Sequence, residues 1–536
     1  MADAAVQQYL AALAHARRER PAREYEHPIA VIGGGMLGVS MALDLQRRGR
    51  QSFVLVDRMC AWGGSTWNDV ANRTTKLQTE KASYHPLYLD FEVPVDPTLK
   101  TWPSRDSIQQ MIERVAKEAG LDEKARLGCD VDAIKREGNP LNGGHYVVHF
   151  SDDEGRATNL VSSAVIACMG VFYVPKDIKW PGRESFGGYI SHGSYDMMDP
   201  KKLKGNMVLI VGHGGFTIEN VRTCVEYEAA GVKIVCRTRH FSGPKISSWL
   251  VSSQEHPVPG HILLKSFQYM YDLVGLDVWS HPAVQTDKSR SMAFIRQSAT
   301  FGVTDVYFLA CAYGFAEVIE DEVERLSHHC AETRKGQRIA CQVVLKCLGS
   351  ECDPGFDEVM GLKEIRGYWV NGEPLCASMT MASGVQAKNF GSFSVGPFFA
   401  GAVTAVNHVV DYPEDLLSLD LPVHRPAKGR PGYYVDTAYM LACGVIISQL
   451  PGLSWQLDVV NRLKAMKTCQ AHPKEAHLAE CVKEWEAYIR MMKEHGQVAA
   501  DAEEIPYPYT IEAIDSLIGD TNQYWSQEVA RRTGGT

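Results

Sequence analysis

The sequence predicts an α/β fold: two interleaved Rossmann-type dinucleotide-binding domains followed by a helical C-terminal extension. Three observations predict it. Residues 28–58, PIAVIGGGMLGVSMALDLQRRGRQSFVLVDR, run as apolar strand, Gly-rich turn, helix of small residues, Gly and second strand. Residues 206–239, NMVLIVGHGGFTIENVRTCVEYEAAGVKIVCRTR, repeat that order. From about residue 411 the strand–helix alternation stops and helical patterns such as AHLAECVKEWEAYIRMMKEHG take over. A strand–turn–helix–strand unit written twice is the signature of a parallel sheet with crossover helices. The two units lie 179 residues apart (Gly33 to Gly212), too far for a solenoid repeat and suited to two domains.

In chain order, residues 1–27 read as an amphipathic lead-in helix. Residues 28–200 read as the first part of the first nucleotide domain and its linker, and 201–340 as the second nucleotide domain. Residues 341–410 read as a return to the first, with a Gly-rich turn over 389–410 opening a helix of small residues, and 411–536 as the extension. The strands VSSAVIACMG and QVVLKCLGS read as the two chain crossings. Pro-rich joints at LPVHRPAKGRPG and EEIPYPY punctuate the extension.

Gly33-x-Gly35-x-x-Gly38 follows a strand and opens a helix, with Asp57 at the end of the next strand and Arg58 beside it. Gly33 permits the tight turn, Gly35 lets backbone approach a pyrophosphate, and Gly38 lets helix and strand pack closely. The free N–H groups at the helix start then receive the anion, and Asp57 accepts from ribose hydroxyls. This is the expected FAD site. Gly212-x-Gly214-x-x-Thr217 carries Thr where a third small residue is usual. Here the following strand ends in Arg237 and Arg239 instead of an acid, which suits a ribose 2′-phosphate and favours NADPH over NADH. One flavin site and one NADPH site imply hydride transfer to the flavin.

Bulk properties agree. The 536 residues carry 55 Lys plus Arg and 64 Asp plus Glu, a net charge of −9, which argues against nucleic acid as a partner. The 14 cysteines include no CxxC pair, and Cys347 and Cys352 match no common zinc spacing. They read as thiols in a reducing compartment. His328, His329 and Cys330 are adjacent and point in divergent directions, so no metal site is expected. The N-terminus lacks a secretory pattern. The uncharged run Thr437–Leu457 is broken by Pro451 and reads as a buried helix, not a membrane span. The chain therefore reads as soluble and cytoplasmic, with organellar import left open and a homodimer compatible with these features. No Ser-His-Asp elbow or HExxH is present to support a hydrolase.

The order of these motifs resembles the flavin-containing monooxygenases, whose relatives include Baeyer–Villiger and N-hydroxylating monooxygenases. The likeness covers roughly residues 28–410. Its most specific piece is Phe186-x-Gly188-x-x-x-His192, led by VPKDIKWPGRES and set between the two units. The resemblance implies that this linker joins the FAD and NADPH domains and that His192 contacts the bound nicotinamide nucleotide. It places Gly63, Gly64 and Trp67 in a turn against the flavin, Gly396 in the late Gly-rich return, and Glu80 where many members carry an Asn near the flavin edge. It implies that NADPH reduces FAD, that O2 adds as a C4a-hydroperoxide, and that a small nucleophilic substrate (nitrogen, sulfur or electron-rich aromatic) is oxygenated. Four departures stand out: Asp196 where a linker aromatic is usual with Tyr195 one short, a Gly63-Gly64-Ser65-Thr66-Trp67 turn one residue long, Cys168-Met169-Gly170 for Ala-Thr-Gly, and Glu80 itself. Two alternatives stay open: a single-component flavin-dependent halogenase with Lys76 or Lys81 as relay, and a non-catalytic flavin-binding protein. The substrate pocket is expected between the nucleotide domains and under the extension, near Tyr433, Tyr434 and Trp455.

Overall fold

A computed structural model of the chain describes residues 21–85, 95–138, 142–168, 174–297, 302–351, 363–365, 368–370, 376–378, 410–412 and 456–533. The first sheet contains β1 (Ile29–Ile32), β2 (Phe53–Asp57), β3 (Ala125–Leu127) and β4 (Ala164–Ala167), with Cys376–Ser378 as a further strand. Its order is Cys376–Ser378, β4, β1, β2, β3, parallel throughout. The β1 run IAVI and the β4 run AVIA are buried at every position, as strands covered on both faces must be. Helix α1 (Met36–Arg47) crosses from β1 to β2. An antiparallel three-stranded sheet (Cys129–Glu137, His145–Asp152, Ala157–Ser162) leads back to β4.

The second sheet holds β5 (Tyr189–His192), β6 (Met207–Val211), β7 (Gly231–Cys236), β8 (Ala316–Glu320) and β9 (Val343–Lys346) in the order β8, β7, β6, β9, β5, again all parallel. Helix α2 (Gly215–Glu226) is its first crossover. Between β7 and β8 the chain inserts further helices, among them α3 (Lys245–Ser253), every residue of which is buried. The two sheets repeat in register: Gly33 and Gly212 are 179 residues apart, and so are Cys168 and Cys347, which directly follow β4 and β9.

The domain limits read from the sequence need correction. β5 lies before residue 201 and β9 after residue 340, yet both pair within the second sheet. The strand QVVLKCLGS is therefore this sheet's own inner strand, held between β6 and β5, and the crossing back follows it. Ser350–Glu351 then pairs antiparallel with Val174–Pro175, so the two crossings run side by side.

The extension forms α4 (Gln456–Ala471), α5 (Lys474–Glu494) and α6 (Ile511–Thr533). Helix α5 starts after Pro473 and stops at His495, followed by Gly496 at φ +67, the left-handed residue that commonly ends a helix. Cys481, Trp485, Tyr488, Ile489 and Met492 line one face at helical spacing and join the core of the second domain. Among the described residues no helix is long and apolar enough to cross a membrane. Residues 1–20 of the lead-in helix, Met169, Gly170, Gly396 and nearly all of the 389–410 turn lie outside the described residues, as do Cys352, Tyr433, Tyr434, Trp455 and the run from Thr437 to Trp455.

Candidate functional site

The two Gly-rich turns have one geometry. Gly33 and Gly212 sit at φ +115 and +116, and a β-carbon on either would press into the carbonyl of Cys168 or Cys347. Helices α1 and α2 begin after Gly35 and Gly214, and neither start is capped by a side chain. Their first N–H groups are thus available to an anion. A β-carbon on Gly35 would meet nothing nearer than 3.6 Å, and one on Gly214 nothing within 4 Å, so both approaches are open on the ligand side. Gly38 is the tight packing position, against the carbonyl of Gly33. Its counterpart Thr217 lies fully buried beside Cys347, so the second helix accommodates a larger residue without losing the turn.

The Asp57 carboxylate is buried at the end of β2. It accepts from the N–H of Gly34 and, at 2.6 Å, from that of Met59. Burial pushes its pKa up and the two backbone bonds oppose that. The acid braces the Gly-rich turn, a role not read from the sequence; Arg58 beside it is exposed. Gly63 and Gly64 take φ +111 and +60, and the N–H of Gly63 donates to the carbonyl of Gly34 at 3.1 Å. Asn68, passed over in the motif reading, holds this turn by donating to the Gly64 carbonyl at 2.9 Å. Trp67 is buried in a short π-helix, edge-on to Tyr84.

At the head of β7, Arg237 is exposed, with Glu322 3.7 Å away, whereas Arg239 is half-buried, with Glu320 at 3.8 Å. Behind them His213 accepts from the N–H of His240 at 3.2 Å through Nδ1 and meets the Tyr307 hydroxyl at 3.0 Å through Nε2. Burial, helped by the charge of Arg239, holds His213 neutral with its pKa down to about 3.

The linker joins the domains through β5. Gly188 passes against the carbonyl of Gln342, where no side chain fits. His192 pairs in register with Lys346. Lys346, itself buried, forms an ion pair with Asp177, and the His192 Nε2 lies 3.9 Å from the same carboxylate. Burial is the main cause lowering the His192 pKa, followed by Lys346. The shifted linker aromatic has a structural account: Tyr195 and Asp196 both adopt left-handed backbone (φ 67 and 47). That turn buries Tyr195, and Asp196 meets Arg73 at 3.2 Å and Arg105 at 3.5 Å.

Residues 72–80 of the first domain run along α2. Thr74 meets Thr223, the N–H of Lys76 donates to Glu219, and Gln78 donates to the Gly215 carbonyl, each step of two residues matching one helical turn. Asn72, another residue the sequence reading missed, is buried and donates to the Gly193 carbonyl at 2.9 Å, as Asn220 does at 2.8 Å. Glu80 lies further along, accepting from Ser248 of α3 at 3.4 Å, with Lys464 of α4 as a charged neighbour. Lys76 pairs with Glu226 at 2.5 Å and Lys81 donates to the Leu99 carbonyl at 2.8 Å. The extension bridges the same junction: on α5, Glu480 accepts from Thr101, Glu484 pairs with Lys245, and Tyr488 donates to Glu226 at 2.6 Å. Lys245 also stands 3.5 Å over the ring of Trp102.

Comparison with known proteins agrees with this architecture. Residues 30–258 match the family model for pyridine nucleotide-disulphide oxidoreductases. A Baeyer–Villiger monooxygenase of Pseudomonas aeruginosa is 25% identical over 211 residues, 39% of this chain and 37% of that protein. The trimethylamine monooxygenase of Roseovarius sp. is 22% identical over 324 residues, 52% of this chain and 71% of that one. The chain thus spans little over a third of the length of the first of these relatives. An open crystal structure of cyclohexanone monooxygenase superposes with a TM-score of 0.51 at 13% identity, covering 83% of this chain and 98% of that one. The two-domain fold is shared with flavin monooxygenases, and the motif-level resemblance to that superfamily is borne out.

Proposed function

We propose that the chain is a flavoprotein monooxygenase that binds FAD on the first Gly-rich turn and NADPH on the second, and uses O2 to oxygenate a small substrate bearing nucleophilic nitrogen or sulfur, or an electron-rich arene. The observation that carries this reading is the pair of matched turns, each with an uncapped helix start and space for a pyrophosphate where a β-carbon would stand. The residues fit both groups. Gly33, Gly35 and Gly38 with Gly63, Gly64 and Trp67 would hold FAD, and the remaining lone pairs of Asp57 would face its ribose. Gly212, Gly214, Arg237 and Arg239 would hold NADPH.

Bound flavin supplies hydride acceptance and oxygen activation. The chain's own residues bind, orient and exclude water. Asn72 and Asn220 converge on Gly193 and fix the backbone that follows His192. His192, held neutral by burial and Lys346, is an N–H donor toward the nicotinamide nucleotide rather than a second cation. With Glu80 facing α3, the buried amide that the first domain brings to the linker is Asn72, and we assign it the flavin-edge position first read onto Glu80. The reading is tested by incubating protein, NADPH and O2 with an amine, a sulfide and a phenol, with and without bromide, and identifying products by mass spectrometry. An oxygen atom added to at least one substrate is expected. NADPH consumption with no oxygenated product refutes a monooxygenase, and a brominated product selects the halogenase alternative.

A further inference from the structure

We infer that Cys60 and Cys129 form an oxidisable thiol pair that can tie the loop after β2 to the start of the antiparallel sheet. Among the described residues Cys60 is an exposed cysteine and Cys129 a buried one. The backbone brings them together. β2 and β3 run in register with Asp57 opposite Leu127, and the N–H of Gly128 donates to the Met59 carbonyl at 3.0 Å. Cys60 and Cys129 are the next residues on each side of that bond. The Cys60 sulfur lies 3.3 Å from where a Gly128 β-carbon would stand. A side chain at position 128 would therefore crowd the thiol, and its absence leaves Cys60 against the backbone that carries Cys129. Cys129 is one step along the chain from the residue facing Cys60, and strands roughly 5 Å apart put such diagonal Cα atoms about 6 Å from each other, within the range that a disulfide spans. The Cys129 thiol also feels the charge of Cys60.

The oxidant is a hydroperoxide. The exposed Cys60 thiolate attacks the peroxide oxygen and becomes a sulfenic acid, releasing water after proton uptake. Cys129, whose thiol burial holds above its ordinary pKa, then attacks the Cys60 sulfur and gives up its proton; the S–O bond breaks and the sulfenic oxygen leaves with that proton as a second water. In sum two thiols and one H2O2 give one disulfide and two H2O, with both sulfurs oxidised and the peroxide reduced. The position gives the bond a consequence. Cys60 is three residues after Asp57, whose carboxylate holds Gly34 and Met59 in place, so the tie would lock the segment that braces the first Gly-rich turn.

The full chain, free of bound nucleotide, is treated with a small excess of H2O2, quenched, and digested without reduction. A peptide joining Cys60 to Cys129 that disappears with dithiothreitol is expected. Cys60→Ser and Cys129→Ser should each abolish it, and Cys129→Ser should leave Cys60 trapped by a sulfenic-acid reagent such as dimedone. Over-oxidised Cys60 without the linked peptide in the parent protein, or linkage of Cys60 to another cysteine, overturns the inference. This test needs neither flavin nor turnover, so it stands or falls apart from the monooxygenase reading. With that reading in place, FAD release from the linked protein should be at least threefold slower than from the reduced one. Equal release rates would overturn the proposed effect on the turn.

Discussion

Gly35 and Gly38 lie in one motif, yet the structure assigns them opposite sensitivities. A β-carbon on Gly38 would stand 1.7 Å from the carbonyl oxygen of Gly33. A nonbonded C···O contact needs about 3.3 Å, so Gly38→Ala must push α1 away from β1 by roughly 1.6 Å on that side. Overpacking of this kind costs about 1–3 kcal/mol, and here both neighbours are backbone, so the upper end applies. At about 2–4 °C per kcal/mol for a domain of this size, the melting temperature should fall by about 6–12 °C. Gly35 has φ −78, open to any residue, and its β-carbon would meet only ordinary contacts. Gly35→Ala should therefore melt within about 2 °C of the parent when no flavin is bound, a shift of less than about 1 kcal/mol. It should nevertheless lose most of its FAD, because the methyl group occupies the pyrophosphate's approach. Thermal melts of flavin-free protein, with flavin fluorescence after denaturation of the protein as purified, separate the two effects. A Gly38→Ala protein as stable as the parent, or a Gly35→Ala protein with full flavin content, refutes the reasoning.

Four further outcomes are expected. Arg237→Ala should weaken NADPH use about ten- to a hundredfold while sparing NADH, through loss of about 1.5–3 kcal/mol of charge-assisted bonding; equal losses with both nucleotides would assign this arginine, and by the same assay Arg239, to the fold. Tyr488→Phe removes a hydroxyl bonded to the Glu226 carboxylate while keeping the ring buried, so urea unfolding should show a loss of about 1.5–2 kcal/mol; a change under about 0.5 kcal/mol would mean that α5 does not brace the junction. His213 is depressed from 6.5 to about 3, so between those values the unfolded chain binds the extra proton and stability falls as pH falls. Going from pH 7.5 to 5 should cost on the order of 1–2 kcal/mol from this residue, and a His213→Gln variant with the same pH slope as the parent would contradict it. His192→Ala should raise hydrogen peroxide release per NADPH consumed, because the linker no longer seats the nucleotide that keeps water out; unchanged coupling would remove His192 from that role.

Much of the architecture was legible because it rests on local rules. Apolar runs such as IAVI, the Gly spacing at 33–38 and the acid or arginine after the second strand are constraints between residues close in sequence, and the parallel sheets follow from them. Helix α5 was legible for the same reason, its buried residues recurring at helical spacing. Other features depend on residues far apart in the chain and left no local trace. That β9 pairs with β6 and β5 depends on contacts over more than 130 residues, so the domain limit at 340 could not be read. Asn72 looks like any polar loop residue until Gly193 is brought to it, and Ser248, which bonds Glu80, lies 168 residues further along the chain. Asp57 was legible as an acid at the strand end, but its bonds to Gly34 and Met59 required the turn to fold back over it. Sequence by itself determined which segments form nucleotide-type units and which ligands their turns suit, because helix starts and glycine positions are local. Only the tertiary structure decided which polar groups face the cleft between those units, because burial and pairing of a side chain are set by what the rest of the chain packs against it.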